Sequence, residues 1–255
     1  MPRFSANLSL LYAELPFLER FRAAKADGFE AVECQFPYES STGVKLHQVV
    51  QVLQELDMPM DLHNMPAGDW SQGDRGIACD PARVEEFKIG LLDAIQYAKI
   101  LHVPHINCLS GKLPEGVSRE SAQSTFVSNL TFAAEVLKKE NIKLLIEPIN
   151  TFDMPGFFLS SSQHAVETIM AVKSNNLYLQ YDAYHMHRMG EDILDMEELL
   201  PFIDHIQVAD HPGRHEPGTG DIPYQEFFRL IDDLAYDGWV GCEYHSLNRA
   251  NFFGI

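Results

Sequence analysis

Short apolar runs return about every 30 residues along this chain, each followed by a segment with apolar side chains at helical spacing, and this repeat restricts the fold more than any other feature. The stretch 143–150, KLLIEPIN, gives the unit in its barest form. Leu144, Leu145 and Ile146 run straight into Glu147 and Pro148. An uninterrupted aliphatic run suits a parallel strand covered on both faces, and Pro148 has no N–H for the next ladder bond, so Glu147 is expected at the strand's C-terminal lip. An ionised carboxylate there needs a metal, a cation or hydrogen bonds to compensate it. For Glu147 alone, a structural ion pair is the plainer reading.

The same step recurs from the N-terminus. RFSANLS ends near Asn7, and Phe17, Leu18, Phe21 and Ala24 mark the helix behind it, closed by Asp27 and Gly28. FEAVECQF carries Glu33 and is followed by Val49, Val50, Leu53 and Leu56. The run 60–63 ends at His63 and leads into a long loop with Trp70; Asp80 and Pro81 then start a helix bearing Phe87, Leu91, Ile95 and Ala98. HINCL holds Asn107 and precedes a helix over 118–139. Beyond 143–150 come a helix with Ala165, Ile169 and Val172, the strand LYLQYDAYHM ending near Asp182 with His185 three residues on, and a helical stretch over 193–202. HIQVAD with Gln207, a helix with Phe227, Leu230, Ile231 and Leu234, and WVGCEY with Glu243 complete the series.

Eight such steps predict an α/β fold, a closed (β/α)8 TIM barrel, ahead of an open doubly wound sheet. A length of 255 residues with 45% hydrophobic side chains suits a single domain over 1–255. Only eleven residues follow Tyr244, so the eighth helix is expected to be short or missing. The outer faces of strands eight and one, near Val240 and Cys242, would then meet water, and the tail carrying Phe252, Phe253 and Ile255 is too short to cover them. A homodimer or higher homo-oligomer is expected to close that seam.

The residues at the eight strand ends are Asn7, Glu33, His63, Asn107, Glu147, Asp182, Gln207 and Glu243, and all are polar. In a barrel these ends meet at one mouth, the face that carries chemistry. Glu147, Asp182, Gln207 and Glu243 would concentrate negative charge there, and an all-oxygen set of this kind suits a divalent Mg²⁺ or Mn²⁺. His63 and His185 keep zinc open as an alternative, and a hydrogen-bonded acid cluster without metal is the other reading. Arg214, among glycines after strand seven, is placed to hold a substrate carboxylate, with His63, Asn107 and His185 as further substrate-binding candidates. The spacing of Gly218 and Gly220 is not that of a phosphate loop or a dinucleotide fingerprint, so no organic cofactor is expected.

A formal charge of -18, from 19 Lys and Arg against 37 Asp and Glu, opposes binding to nucleic acid or to an anionic membrane. No leader or spanning segment is read in the sequence, which predicts a cytoplasmic protein. Cys34, Cys79, Cys108 and Cys242 form no CxxC pair, and neither a disulfide nor a zinc cluster is expected of them.

The motifs NLSLLY, FPYE, LHNMPAGDW, RGIAC, LLIEPIN, YDAYHMHRM, HIQVAD, RHEPGTGDI and GWVGCEY, in this order, resemble the hydroxypyruvate isomerase family of the xylose-isomerase-like barrels. The resemblance implies interconversion of hydroxypyruvate and tartronate semialdehyde (2-hydroxy-3-oxopropanoate), a small anionic hydroxy-oxo acid, with Glu147 and Glu243 as proton donor and acceptor. It also maps the superfamily's metal pattern onto Glu147, Asp182, Gln207 and Glu243. Gln207 stands where metal-dependent relatives often have His, and the short end after Tyr244 departs from the family. A 2-oxotetronate isomerase or ketose 3-epimerase is the alternative on the same barrel. An endonuclease-like phosphodiesterase and a non-catalytic small-molecule binder are the readings from other classes.

Overall fold

In the computed structural model, which describes residues 2–247, eight parallel strands pair in sequence order and the last closes on the first. The strands are β1 (Arg3–Asn7), β2 (Ala31–Cys34), β3 (Met60–Asn64), β4 (His105–Asn107), β5 (Lys143–Ile146), β6 (Leu177–Asp182), β7 (Ile203–Val208) and β8 (Trp239–Cys242). The helices are α1 (Phe17–Ala26), α2 (Glu39–Thr42), α3 (Leu46–Leu56), α4 (Val84–Leu101), α5 (Arg119–Lys139), α6 (Ser162–Val172), α7 (Ala183–Arg188), α8 (Met196–Leu199) and α9 (Tyr224–Asp233). Register aligns the polar strand ends into a ring: Asn7 pairs with Glu33, Asn64 with Asn107, and Asp182 with Gln207. The helices start where side chains satisfy free amide N–H groups. Ser118 caps α5, Ser161 caps α6 and Asp182 caps α7. On α4 the buried residues Phe87, Leu91, Ala94, Ile95 and Ala98 recur at three to four positions, which lays one apolar stripe against the barrel.

One local expectation changes. The stretch 193–202 is not one helix but a 3₁₀ turn, Ile193–Asp195, followed by the four-residue α8. Asp192 accepts from the Leu194 amide at 3.0 Å, and Pro201 disfavours helical geometry in the residue before it. The sixth strand ends at Asp182, as expected. Asp182 Oδ1 accepts from the amides of Tyr184 (2.8 Å) and His185 (3.2 Å), which turns the chain at once into α7.

The seam between β8 and β1 also differs from expectation. Val240 and Cys242 are fully buried rather than facing water. Phe228 of α9 packs edge-on against Phe4 with centroids 5.6 Å apart, and the Arg3 guanidinium lies 3.8 Å over the Trp239 ring. No helix follows β8 among the described residues, and the tail with Phe252, Phe253 and Ile255 lies outside them. The outer surface of the seam therefore gives no argument for a second copy of the chain.

The barrel interior is charged from its N-terminal end upward. Lys143 Nζ lies 2.7 Å from Asp204 Oδ1, and Asp204 Oδ2 lies 2.9 Å from His105 Nε2. His105 Nδ1 is 3.2 Å from Asp61 Oδ1, and Asp61 Oδ2 is 3.2 Å from His205 Nδ1. His205 Nε2 then meets Glu33 Oε2 at 2.8 Å. Burial works against a charge on His205, but Glu33 and Asp61 outweigh it and push its pKa up to about 10. Burial likewise opposes ionisation of Asp61, yet the two imidazoles hold its carboxyl below the usual range.

His205 is fully buried, so replacing it removes the imidazole beside Glu33 and leaves Asp61 with His105 alone. His205→Leu is expected to cost about 3–5 kcal/mol in chemical denaturation at neutral pH. Because the folded-state pKa of His205 is raised, its contribution is complete below the ordinary value of about 6.5 and is lost as pH rises towards about 10. Stability measured across that window should fall in the wild type, and the gap to the variant should narrow. A gap that stays constant would refute the protonated assignment.

Candidate active site

Four residues from three strand ends and one helix converge at the C-terminal mouth. Glu147 follows β5, Asp182 ends β6, His185 lies in the first turn of α7, and Glu243 follows β8. Each offers a ligand atom, and these atoms all lie within 4.8 Å of one another. All four are buried, with Glu147 and Glu243 each 4% exposed.

Glu243 is the best supported of the acids. Its Oε1 accepts from Asn7 Nδ2 at 3.0 Å and Gln35 Nε2 at 2.9 Å, and its Oε2 takes the Arg214 guanidinium at 2.5 Å. Arg214 reaches it from a left-handed backbone position, φ 54°, which non-glycine residues rarely adopt; its amide is tied to Asp210 O at 2.8 Å. Burial opposes the charge on Arg214, but Glu243, Asp182 and Glu147 together hold it more firmly protonated than usual.

Glu147 has less support. Asn107 Nδ2 donates to its Oε2 at 2.8 Å, while burial and then the nearby Glu243 and Asp182 push its pKa well above the carboxylate range. Burial pushes Asp182 up to about 7, and only its Oδ1 is used in capping α7. Burial also raises Glu243, against the pull of Arg214.

Three buried atoms around these acids have no hydrogen-bond partner: Asp182 Oδ2, Asn107 Oδ1 and His63 Nε2. Two tautomers follow from the bonds around the rings. Asn150 Oδ1 accepts from the amides of Phe152 (3.1 Å) and Asp153 (2.8 Å), so its Nδ2 faces His185 Nδ1 at 2.7 Å. His185 Nδ1 is thus the acceptor, and the proton of this neutral ring sits on Nε2, which lies 3.8 Å from Glu147 Oε1 and 3.7 Å from Asp182 Oδ2. Burial keeps His185 neutral, its pKa well below the ordinary histidine value. His63 is the reverse case. Its Nδ1 donates to Asn64 O at 3.0 Å, burial lowers its pKa to about 4, and its Nε2 presents a lone pair to the mouth. One histidine gives a donor and the other an acceptor.

The cluster has the composition to hold a metal: three crowded carboxylates, one of them with a free oxygen, suit a hard cation. His185 in the tautomer set by Asn150 supplies an N–H rather than a lone pair. Gln207 is directed elsewhere. Its Nε2 donates to Glu33 Oε1 at 2.6 Å and its Oε1 accepts from Gln180 Nε2 at 2.6 Å, so its amide is spent below the mouth.

The structure thus brings Glu147, Asp182, Glu243, Asn107, His185, Arg214 and His63 to one mouth and directs Gln207 into the barrel. Sequence reasoning passed over Gln35 and Asn150, which hold Glu243 and His185 in place. No local pattern marks either residue, since each acts through a side chain distant in sequence. Trp70, 40% exposed, packs edge-on against Phe36 at 5.4 Å with Arg75 over its face at 4.1 Å, at the rim near Gln35.

A closed parallel barrel with buried acids at its mouth is an enzyme scaffold that serves many reactions, and the sequence profile described as "Xylose isomerase-like TIM barrel" matches residues 21–251. The chain belongs to this family. It is 50% identical over 245 residues to the hydroxypyruvate isomerase of Escherichia coli strain K12, covering 96% of this chain and 93% of that protein. It is 40% identical over 248 residues to the 2-oxo-tetronate isomerase of Cupriavidus necator, covering 96% of this chain and 93% of that one. A crystal structure described as AP endonuclease, family 2, from Brucella melitensis superposes with a TM-score of 0.93 at 38% identity, covering 97% of this chain and 95% of the other. The chain is an enzyme of the isomerase class and a member of the hydroxypyruvate isomerase family. No helix among the described residues is long and apolar enough to cross a membrane.

Arg214 is the cation in contact with Glu243, so its removal should raise the proton affinity of that carboxylate. In Arg214→Ala the acid limb of kcat/KM is expected to move to higher pH by about one unit or more, the usual effect of an adjacent arginine. A profile measured from pH 5 to 9 whose acid limb stays in place would remove Arg214 from the control of Glu243.

Proposed function

We propose that this enzyme interconverts hydroxypyruvate and 2-hydroxy-3-oxopropanoate by proton transfer through an enediolate. The observation that carries this reading is the buried pair Glu147 and Glu243, whose carboxylate oxygens come within 4.8 Å of each other across the mouth with Arg214 against one of them. The 50% identity to an isomerase of that name supports the choice of substrate.

The two glutamates divide naturally into acid and base. Glu243, bonded by Asn7, Gln35 and Arg214, is the carboxylate best kept ionised, and Glu147, with one amide donor and the stronger upward push, is the one best kept protonated. Glu243 removes a proton from the hydroxymethyl carbon, the electron pair enters the carbon–carbon bond, and the ketone oxygen takes up charge with Glu147 as its proton donor. Return of a proton to the former ketone carbon, with loss of the hydroxyl proton next to it, leaves the aldehyde. The His185 Nε2–H donates to a substrate oxygen, and the His63 Nε2 lone pair accepts from a substrate hydroxyl. Arg214 supplies the positive charge that the substrate carboxylate requires. A divalent Mg²⁺ or Mn²⁺ held by Glu147, Asp182 and Glu243 would supply further charge against the enediolate oxygens.

Purified protein assayed with hydroxypyruvate and with 2-oxotetronate, before and after exhaustive chelation, tests substrate and metal together. Hydroxypyruvate is expected to have the higher kcat/KM; a clear preference for 2-oxotetronate would move the reading to the second substrate. Full activity after chelation would remove the metal from turnover. Glu147→Gln and Glu243→Gln should each lower kcat by about a hundredfold or more, with little change in folding. Near-normal turnover in both variants would sink the acid–base assignment.

A further inference from the structure

A second group of potential ligands lies at the rim, outside the carboxylate cluster: His187 near the end of α7, and His211 and Asp221 at the two ends of the loop that follows β7. His211 Nδ1 lies 3.0 Å and His187 Nε2 3.3 Å from the same oxygen, Asp221 Oδ1, and the three ligand atoms are all within 4.8 Å of one another. The imidazole rings stand 5.6 Å apart and inclined by 56°, so they approach the carboxylate from different directions. A tetrahedral ion with bonds of about 2.0–2.1 Å places neighbouring ligand atoms roughly 3.3–3.4 Å apart, close to the two nitrogen–oxygen separations found here.

The backbone that presents these groups is fixed independently of them. The Asp210 carboxylate accepts from four amides, those of His211 (2.9 Å), Gly218 (2.8 Å), Gly220 (2.9 Å) and Ile222 (3.1 Å). The Asp221 amide closes onto His211 O at 3.0 Å, which sets His211 and Asp221 side by side. On the other side, Asp182 fixes the start of the helix that carries His187. Such prior ordering is what a metal site asks of its ligands. The histidine side chains are 29% and 31% exposed and Asp221 is 63% exposed, which leaves an approach for an ion and room for water as a fourth ligand.

We propose that His187, His211 and Asp221 form a rim site for a zinc-type divalent ion, bound through two imidazole nitrogens and one carboxylate oxygen with the fourth position open. Two nitrogens and one oxygen favour zinc and its late-transition neighbours over Mg²⁺ or Ca²⁺, which separates this site by chemistry from the all-carboxylate donors at the mouth. The ion fastens α7 to the 211–221 loop. That loop carries Arg214 three residues after His211, so occupancy restrains the segment that places the guanidinium on Glu243. The alternative is an ion-paired cluster in which one carboxylate oxygen takes two imidazole N–H groups and no metal binds. The proposal stands apart from the substrate reading above and does not need it.

The full chain, stripped of metal, is titrated with Zn²⁺ alone by equilibrium dialysis, and amide exchange of 212–220 is followed with and without Zn²⁺. The wild type, the His187→Asn/His211→Asn double variant and Glu147→Gln are compared. The double variant is expected to lose one zinc equivalent, or to bind it at least about tenfold more weakly, while Glu147→Gln retains it. Zinc should slow exchange in the loop of the wild type and leave the double variant unchanged. Asp221→Asn, a substitution at an exposed position, gives the same comparison if the double variant fails to fold. Equal zinc stoichiometry and affinity in the wild type and in the His187, His211 or Asp221 variants would overturn the site.

Discussion

Compensation of buried charge governs this barrel. Asp61, Asp204, Glu33, Glu147, Asp182 and Glu243 all project from strands or strand ends, and desolvating that many carboxylates is untenable unless each meets a cation or several donors. In the lower part of the barrel the compensation is nearly one to one, with Lys143, His105 and His205 alternating among Asp204, Asp61 and Glu33. At the mouth three acids share one arginine. The same residue type therefore shifts in opposite directions within one cavity: Asp61 and Asp204 are held below the usual carboxylate range, whereas Glu147, Asp182 and Glu243 are raised above it. Reactivity sits where the compensation runs out.

That division explains what could be read from the sequence. The strands and their polar ends were legible because each short apolar run stops at a polar residue, and the closed parallel barrel follows from eight repeats of that step. The charged column was written in the sequence too, at a spacing of two. Ser5 and Asn7, Asp61 and His63, His105 and Asn107, Gln180 and Asp182, and His205 and Gln207 are pairs on one face of a strand, and all of them are buried except His105, which is partly buried. Reading only the last residue of each strand finds the mouth and misses the column beneath it. It also overassigns Gln207, whose amide is consumed by Glu33 and Gln180 once the column is present.

Loops and helix junctions were less legible because their determinants are bonds to backbone rather than apolar periodicity. Asp210 was simply the last letter of HIQVAD, yet its carboxylate gathers four amides and shapes the whole following loop. Gly220 belongs to the same device: a Cβ there would strike His211 O and the Asp210 carboxylate, so only glycine lets the loop fold back on itself. Gly241 answers the column in a similar way. A side chain at that point of β8 would occupy the space of the Glu33 carboxylate, so the small residue in GCEY makes room for a charge on a neighbouring strand.

Asn7 is the junction between the two halves. Its single side-chain nitrogen donates to Glu33 Oε1 at 2.8 Å and to Glu243 Oε1 at 3.0 Å, one N–H to each carboxylate. A water or hydroxyl in that position could pass a proton along, whereas an amide nitrogen gives up its proton far less readily. The amide therefore transmits geometry from the column to the mouth without offering a proton path between them. Glu33 can remain paired with protonated His205 while Glu243 gains and loses protons a few ångströms above it, and the fixed charge below does not discharge into the reacting group. An aspartate in place of Asn7 would add a fourth acid to the mouth, and an aliphatic residue would take one donor from each of two buried oxygens, leaving Glu33 Oε1 to Gln207 and Glu243 Oε1 to Gln35. The amide meets both requirements, bonding two like charges while keeping their protons separate.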